Sequence, residues 1–489
     1  MKLTRHIIAI AVIAVLFLQF AASCSKDEDK VPSAADLLAT VPARSAAAGC
    51  IATDQLLSLV DAREQGGKIT CCPELTQFAA RHDAQKSVNA ILSAAFCTSE
   101  RMVFFVYNDK LWLTAGIADD AKFDALAKEL KATSHEAPYA DVKKALSDAG
   151  MDDRDPGTIT IYTLPDGQGG FLRRGRQLWL CLDPETMRAE PALREVVEFA
   201  AMEREESYLE DASTRKAASE LAAADAPALL MYAKISSALG TLGRLVSSVG
   251  DYAGYATIGM ATLYSSPSFM RLQADVSDAD LTLETSVLDQ EFVPCGFNLP
   301  AGKVSAKVLQ SVSFKGGDRY AALALPPAFV EKVTAIVGAG IPDDLAASLR
   351  AIDGTAAVCL GSGNTTKLAV ETAPGASATA LQPLLALAAP VRGLRLCKEG
   401  NVALAGTSGT APLQALPQFA KELTGSVAGV AANLHLLNPG KWGEGAYSLI
   451  TLVPQGKSVM LRFRIHAANP LRNLLREPTK SPEAAVNKR

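Results

Sequence analysis

Short strands of small residues that run straight into a helix recur along this chain, and few architectures accommodate that pattern. Gly49-Cys50-Ile51-Ala52 precedes Asp54-Gln55-Leu56-Leu57, and Ala228–Ala233 precedes Ser236-Ser237-Ala238-Leu239. Tyr320–Leu325 before Pro327-Ala328-Phe329-Val330 is a third copy, and Val427–Leu434 a degenerate fourth. Small side chains let a helical layer approach a strand closely. Self-similarity of this kind points to one α+β unit duplicated within the chain, with the recurring strand central in its sheet. The spacings are uneven, which excludes a solenoid of fixed period.

Between these elements, strand pairs alternate with amphipathic helices. Arg101–Tyr107 and Leu111–Ala115 flank Asn108-Asp109-Lys110, and because Asn and Asp tolerate positive φ this reads as a tight hairpin. A helix is expected over Asp119–Ala132, where Phe123, Leu126, Ala127 and Leu130 keep helical spacing behind two acidic residues. Gly157–Leu164 and Gln177–Leu182 form a second expected pair across Pro165–Gly170, with helical sequence over Pro184–Met202. Tyr255–Tyr264, Phe269–Val276, Leu281–Val287, Tyr447–Val453 and Ser458–Ala467 read as antiparallel strands. In the last, Val459, Leu461, Phe463 and Ile465 alternate with Met460, Arg462, Arg464 and His466, which predicts one buried and one wet face. The fold class that follows is α+β: antiparallel sheets with amphipathic helices packed on them, internally duplicated. The charge run Glu203–Glu206 places a boundary that gives domains over 34–205 and 206–476, and 477–489 reads as a disordered tail.

The first 23 residues have a different job. Lys2 and Arg5 precede an apolar run of about fourteen residues, Ile7–Phe20, and the small residues Ala21, Ala22 and Ser23 lead into Cys24. That run is shorter than the ~17–25 residues of a membrane-spanning helix, so 1–23 reads as a signal peptide. Cys24 is then the thiol that receives the lipid, and 24–33 is a solvated tether. The chain is 49% apolar and 20% charged, an ordinary globular balance with enough length for two to four domains. Formal charge is −4, or −6 once Lys2 and Arg5 are removed, and no basic cluster offers a footing for nucleic acid.

Chemistry-bearing motifs are scarce. Eight cysteines remain beyond Cys24, and Cys50, Cys71, Cys72 and Cys97 are the candidates for a disulfide in an oxidising compartment. Cys181 and Cys359 sit in apolar strand-like runs and read as core. His82, His135, His435 and His466 are far apart, with no His-Glu-x-x-His or Cys-x-x-Cys spacing, so no metal site is assigned. Ser213-Thr214-Arg215-Lys216 fits Ser-x-x-Lys but lacks the companion elements of penicillin-interacting enzymes. Gly361–Lys367 lacks the Gly-Lys-Ser/Thr ending of a phosphate loop and reads as a hairpin turn. Asp152–Gly157 has the acids of a calcium loop without the ligand spacing and reads as a surface turn. No catalytic residue and no cofactor is assigned.

Cys24-Ser25-Lys26-Asp27-Glu28-Asp29 resembles the start of Bacteroidota surface lipoproteins, departing from the usual signal at Ala21, where Leu is common. The cadence Leu37–Ala43 into Ala46–Thr53, repeated over Tyr208–Ala233, resembles a Bacteroidota family of exported lipoproteins that supplies no catalytic residues to carry over. The resemblance implies an outer-membrane location facing the cell exterior, with the membrane engaged through the N-terminal lipid. The function expected is non-catalytic binding or scaffolding of a protein or glycan. The alternative is an exported hydrolase acting on glycan or peptide, with acids too far apart in sequence to recognise.

Overall fold

The computed structural model describes residues 31–65, 68–81, 84–165, 169–182, 189–190, 192–237, 262–337, 342–362, 365–383, 395–407 and 413–476. The expected signal segment, Cys24 and the expected tail over 477–489 lie outside them. Two compact units emerge: one runs to Gly259 and adds Pro267–Asp275 and Leu288–Val293, and the other takes Met260–Ser266, Val276–Val287 and the chain from Pro294 onward. The boundary expected near residue 205 is therefore misplaced. Leu229–Lys234 pairs with Ala47–Ala52, and that ladder keeps the residues past 206 in the first unit.

The first unit contains β1 (Ala47–Ala52), β2 (Thr98–Tyr107), β3 (Lys110–Ile117), β4 (Thr133–Glu136), β5 (Thr160–Thr163), β6 (Gly170–Arg174), β7 (Gln177–Leu182), β8 (Leu229–Lys234) and β9 (Phe269–Val276). They pair antiparallel in the order β4-β5-β6-β7-β3-β2-β1-β8-β9. The expected pairing of Gly157–Leu164 with Gln177–Leu182 is corrected here, because β6 stands between them. Asn108 and Asp109 both have positive φ, as the tight β2–β3 hairpin demands. The strand after Ala228 lies beside the one after Gly49 and runs antiparallel to it.

Both faces of this sheet are covered. On one, Ala48, Cys50, Val103, Phe105, Trp112 and Trp179 pack under helices Ala34–Leu38, Leu193–Ala201 and Arg215–Ala222. Phe199 sits edge-on to Phe105, Tyr107 and Trp112, with ring centroids 5.4, 5.3 and 4.9 Å apart. On the other, Ile51, Met102, Leu113, Ala115 and Leu180 pack under Gln85–Cys97 and Asp120–Glu129. Gly49 permits the close approach on that side: a Cβ there would lie 2.3 Å from Phe104 and 2.7 Å from the Leu230 carbonyl oxygen.

The second unit contains β10 (Asp280–Leu288), β11 (Gly317–Leu325), β12 (Ile352–Gly361), β13 (Thr366–Thr372), β14 (Arg395–Glu399), β15 (Val402–Gly406), β16 (Ala428–Asn433), β17 (Tyr447–Gln455) and β18 (Ser458–His466). Its antiparallel order is β14-β15-β13-β12-β11-β16-β17-β18-β10. One face carries the core, where Tyr320, Ala322, Cys359, Ala369, Leu404 and Leu449 pack under Ala306–Val312 and Phe419, Ala420 and Leu423. Of the expected strand Tyr255–Tyr264, residues 255–261 lie outside the described residues, and Tyr264 makes an isolated bridge to Phe297.

Candidate functional site

On the opposite face of the second sheet, Leu349 of helix Asp343–Arg350 and Leu381 pack with Leu325, Val370 and Ala403 at one end, Trp442 and Leu434 pack with Phe463 and Ile465 at the other, and between them an apolar stretch is left uncovered by the described residues. Strand register aligns two adjacent rows of side chains across six strands. Leu368, Val358, Ala321, Val430, Ile450 and Phe463 stand side by side in one row. Val370, Ala356, Leu323, Ala428, Leu452 and Leu461 form the next. Alternation along each strand sends these residues to one side and the core residues to the other. Val430, Ile450 and Leu461 remain 49%, 48% and 43% exposed, and the other members of the rows are half-buried. The rows line a shallow recess of about 480 Å³ that contains no charged residue.

This corrects the expectation for Ser458–Ala467. Val459 and Ile465 are buried as expected, but Leu461 is exposed and Phe463 only half-buried. The polar alternates are the ones that find partners. Arg464 donates to Asp280 at 2.7 Å and to Glu422 at 2.8 Å, His466 Nδ1 meets Asp280 at 2.9 Å, and Tyr447 donates to Glu422 at 2.6 Å. Arg462 pairs with Glu284 at 2.7 Å. Burial alone would raise the Asp280 carboxyl, but the bonds from Arg464 and His466 hold it below its ordinary value. Burial raises the Tyr447 hydroxyl, reinforced by its bond to Glu422. Both carboxylates here are already engaged by Arg464, an arrangement that staples β18 to β10 and to the segment after Gln418–Lys421.

A second cluster lies in the first unit, where Arg44 and Tyr107 both reach Glu198, and Tyr107 donates to it at 2.7 Å. Burial and the Glu198 carboxylate push Tyr107 up to about 12. The same logic applies: the hydroxyl is a fixed donor, tying β2 to helix Leu193–Ala201.

The four candidate disulfide cysteines are spread over the first unit, Cys50, Cys72 and Cys97 buried and Cys71 half-buried. Cys50 and Cys97 belong to cores on opposite faces of the first sheet, and burial pushes each up to about 12. Cys71 Sγ lies 3.5 Å from the Thr76 hydroxyl, and Cys72 is buried. Ser213-Thr214-Arg215-Lys216 runs into helix Arg215–Ala222, with Thr214 bonded to the Tyr208 carbonyl and Lys216 to the carbonyls of Glu291 and Phe292. Asp152–Gly157 is a turn in which Asp155 accepts from the Gly157 amide at 2.8 Å. Gly361–Lys367 joins β12 to β13, although 363–364 lie outside the described residues. His82 also lies outside them; among the described residues no group of three His, Cys, Asp or Glu side chains is placed to hold a metal ion. The open face is what sequence reasoning missed, and Leu461 and Ile450 were its visible signal.

No family model matches this chain, and no curated protein matches it. Among solved structures it is similar to a crystal structure of the CurJ dehydratase, an inactive mutant in complex with a compound. That match has 10% identity over 50% of this chain and 93% of that one, with a TM-score of 0.09, and it carries no argument.

Proposed function

We propose that this chain is an outer-membrane lipoprotein, anchored through acylated Cys24 and facing the cell exterior, that binds a partner through the apolar face of its second unit. The observation that carries the binding role is the double row from Leu368 to Phe463 and from Val370 to Leu461. Contiguous exposed apolar surface on a folded domain marks an interaction site more often than scattered exposed residues do. The recess presents methyl and methylene groups without an acid, base or nucleophile, which favours recognition over turnover. The tether and the small residues before Cys24 support the anchored location.

The two units are copies of one α+β ancestor on this reading. In each, a short helix leads into a strand flanked on both sides, β1 between β2 and β8, and β11 between β12 and β16. Each continues through helices into a hairpin, β2–β3 or β12–β13, whose outer strand pairs with a second hairpin, β6–β7 or β14–β15. The four recurring small-residue strands then reduce to two equivalent pairs, β1 with β11 and β8 with β16. The copies differ in how far the second face of the sheet is covered: among the described residues Val430, Ile450 and Leu461 stay exposed beside the helix Asp343–Arg350.

The anchor is tested by Cys24→Ala in the cell of origin. Labelling by a fatty-acid analogue should disappear and the protein should leave the membrane fraction, while protease added to intact cells should digest the wild-type chain. Persistent labelling, or protection of the wild type, would contradict the proposed location.

A further inference from the structure

We infer that two copies of this chain pair antiparallel along β14, the outer strand of the second sheet, with Cys397 on the two-fold axis. β15 lies between β13 and β14, and among the described residues no strand pairs with the other edge of β14. The helical turn Ala378–Leu381 lies over a face rather than along that edge, since Leu381 packs with Ala403. The matching place in the first unit shows what such an edge takes, on the correspondence of the two units proposed above. There the hairpin β6–β7 joins β3 through β7, as β14–β15 joins β13 through β15, and the outer edge of β6 is filled by a further antiparallel strand, β5. The second unit supplies no such strand among its described residues. A row of unpaired backbone N–H and C=O groups accepts one from another chain.

The sequence of β14 selects which strand that is. Arg395-Leu396-Cys397-Lys398-Glu399 complements itself when reversed about its middle residue. In that register position 395 of each copy stands opposite 399 of the other, so an Arg position meets a Glu position at both ends. Leu396 stands opposite Lys398, and Cys397 opposite Cys397 of the second copy. Neighbouring registers fail: centring on 398 sets Lys against Lys, and centring between 396 and 397 sets Arg395 against Lys398. Centring on 396, or between 397 and 398, brings no opposite charges together, and parallel pairing sets each charge against itself. Charges on an edge strand ordinarily block pairing because like meets like; here their order admits one register and blocks the rest. Cys397 and Glu399 are both exposed. The outer strand of the first sheet, β4, has no such property, since Thr133-Ser134-His135-Glu136 contains no Arg or Lys to meet its Glu. The contact is isologous and closes at two copies. A ladder of five residues a side is short, so the association is a transient one held by backbone bonds and the two Arg–Glu pairs, and trapping reads it better than sizing does.

The full-length protein in its own envelope, oxidised briefly with copper–phenanthroline and separated without reductant, tests this. The two Cys397 thiols give their electrons to copper(II) and their protons to water as the S–S bond forms. The expected result is a dimer whose linked peptide joins Cys397 to Cys397 by mass spectrometry, which reductant dissolves and Cys397→Ser lacks. Arg395→Glu alone, or Glu399→Arg alone, sets like charge against like at both ends and should lower the dimer yield at least tenfold. The double variant Arg395→Glu with Glu399→Arg recreates the opposite pairs and should restore the yield, which separates lost pairing from lost folding. Absence of the Cys397 link in the wild type, a link from Cys397 to a different protein, undiminished yield from the single variants, or no recovery in the double variant would each overturn the pairing. None of these outcomes touches the binding role of Val430, Ile450 and Leu461, which every variant retains.

Discussion

Asp280 shows how a single residue couples the second unit to pH. Its carboxylate accepts from Arg464 Nε at 2.7 Å and His466 Nδ1 at 2.9 Å, and it is held below its ordinary value despite burial. A carboxyl depressed on folding stabilises the fold fully above its unfolded value of about 4, and that contribution is lost as pH falls through the folded value. Denaturation midpoints of the wild type should therefore fall more steeply between pH 5 and pH 3 than those of Asp280→Asn. Parallel slopes for the two proteins would show that the clasp contributes no pH-linked stability. None of this was legible from sequence, because Asp280, Glu422 and Arg464 are distant in the chain and meet only when β10 pairs with β18. The cysteines show the same limit: sequence could not tell that β1 and the helix ending at Cys97 carry Cys50 and Cys97 to opposite faces of a sheet.

At the scale of elements, local chemistry was far more readable. Asn108 and Asp109 announce the β2–β3 turn, and both adopt φ near the left-handed region, at 50° and 60°. A β-branched residue there loses about 1–2 kcal/mol to the clash of its Cβ with the following carbonyl oxygen. Asp109→Val should lower the unfolding free energy by about that amount in urea titration, and an unchanged midpoint would mean that the turn relaxes to another geometry. Asp119 likewise caps helix Asp120–Glu129 by accepting from the Lys122 amide at 3.0 Å, where the acidic pair had marked the start. What failed were readings that needed the third dimension. Gly170–Arg174, between the Gly-rich loop and Gln177–Leu182, went unread as a strand, and alternation in β18 separated two faces while Leu461 on the expected buried one is exposed. Apolar alternates are buried only where something covers them, and the covering helices are remote in sequence.

For the whole molecule, the small-residue strands fall in two kinds of sheet position. The strands after Gly49 and Tyr320 each lead a sheet from its interior, whereas those after Ala228 and Val427 lie antiparallel beside them. The boundary drawn at a charged stretch near 205 moved because β8 and β9 return to the first sheet after a long excursion. If the second unit binds through its open face, that face must be wet in the purified protein and covered at work. Carbene footprinting of Val430, Ile450 and Leu461 tests this directly, comparing the isolated protein with the same protein on intact cells. The account predicts strong labelling of all three in isolation and at least a severalfold loss on cells, with Tyr139 unchanged; equal labelling of the three residues in both settings would contradict it.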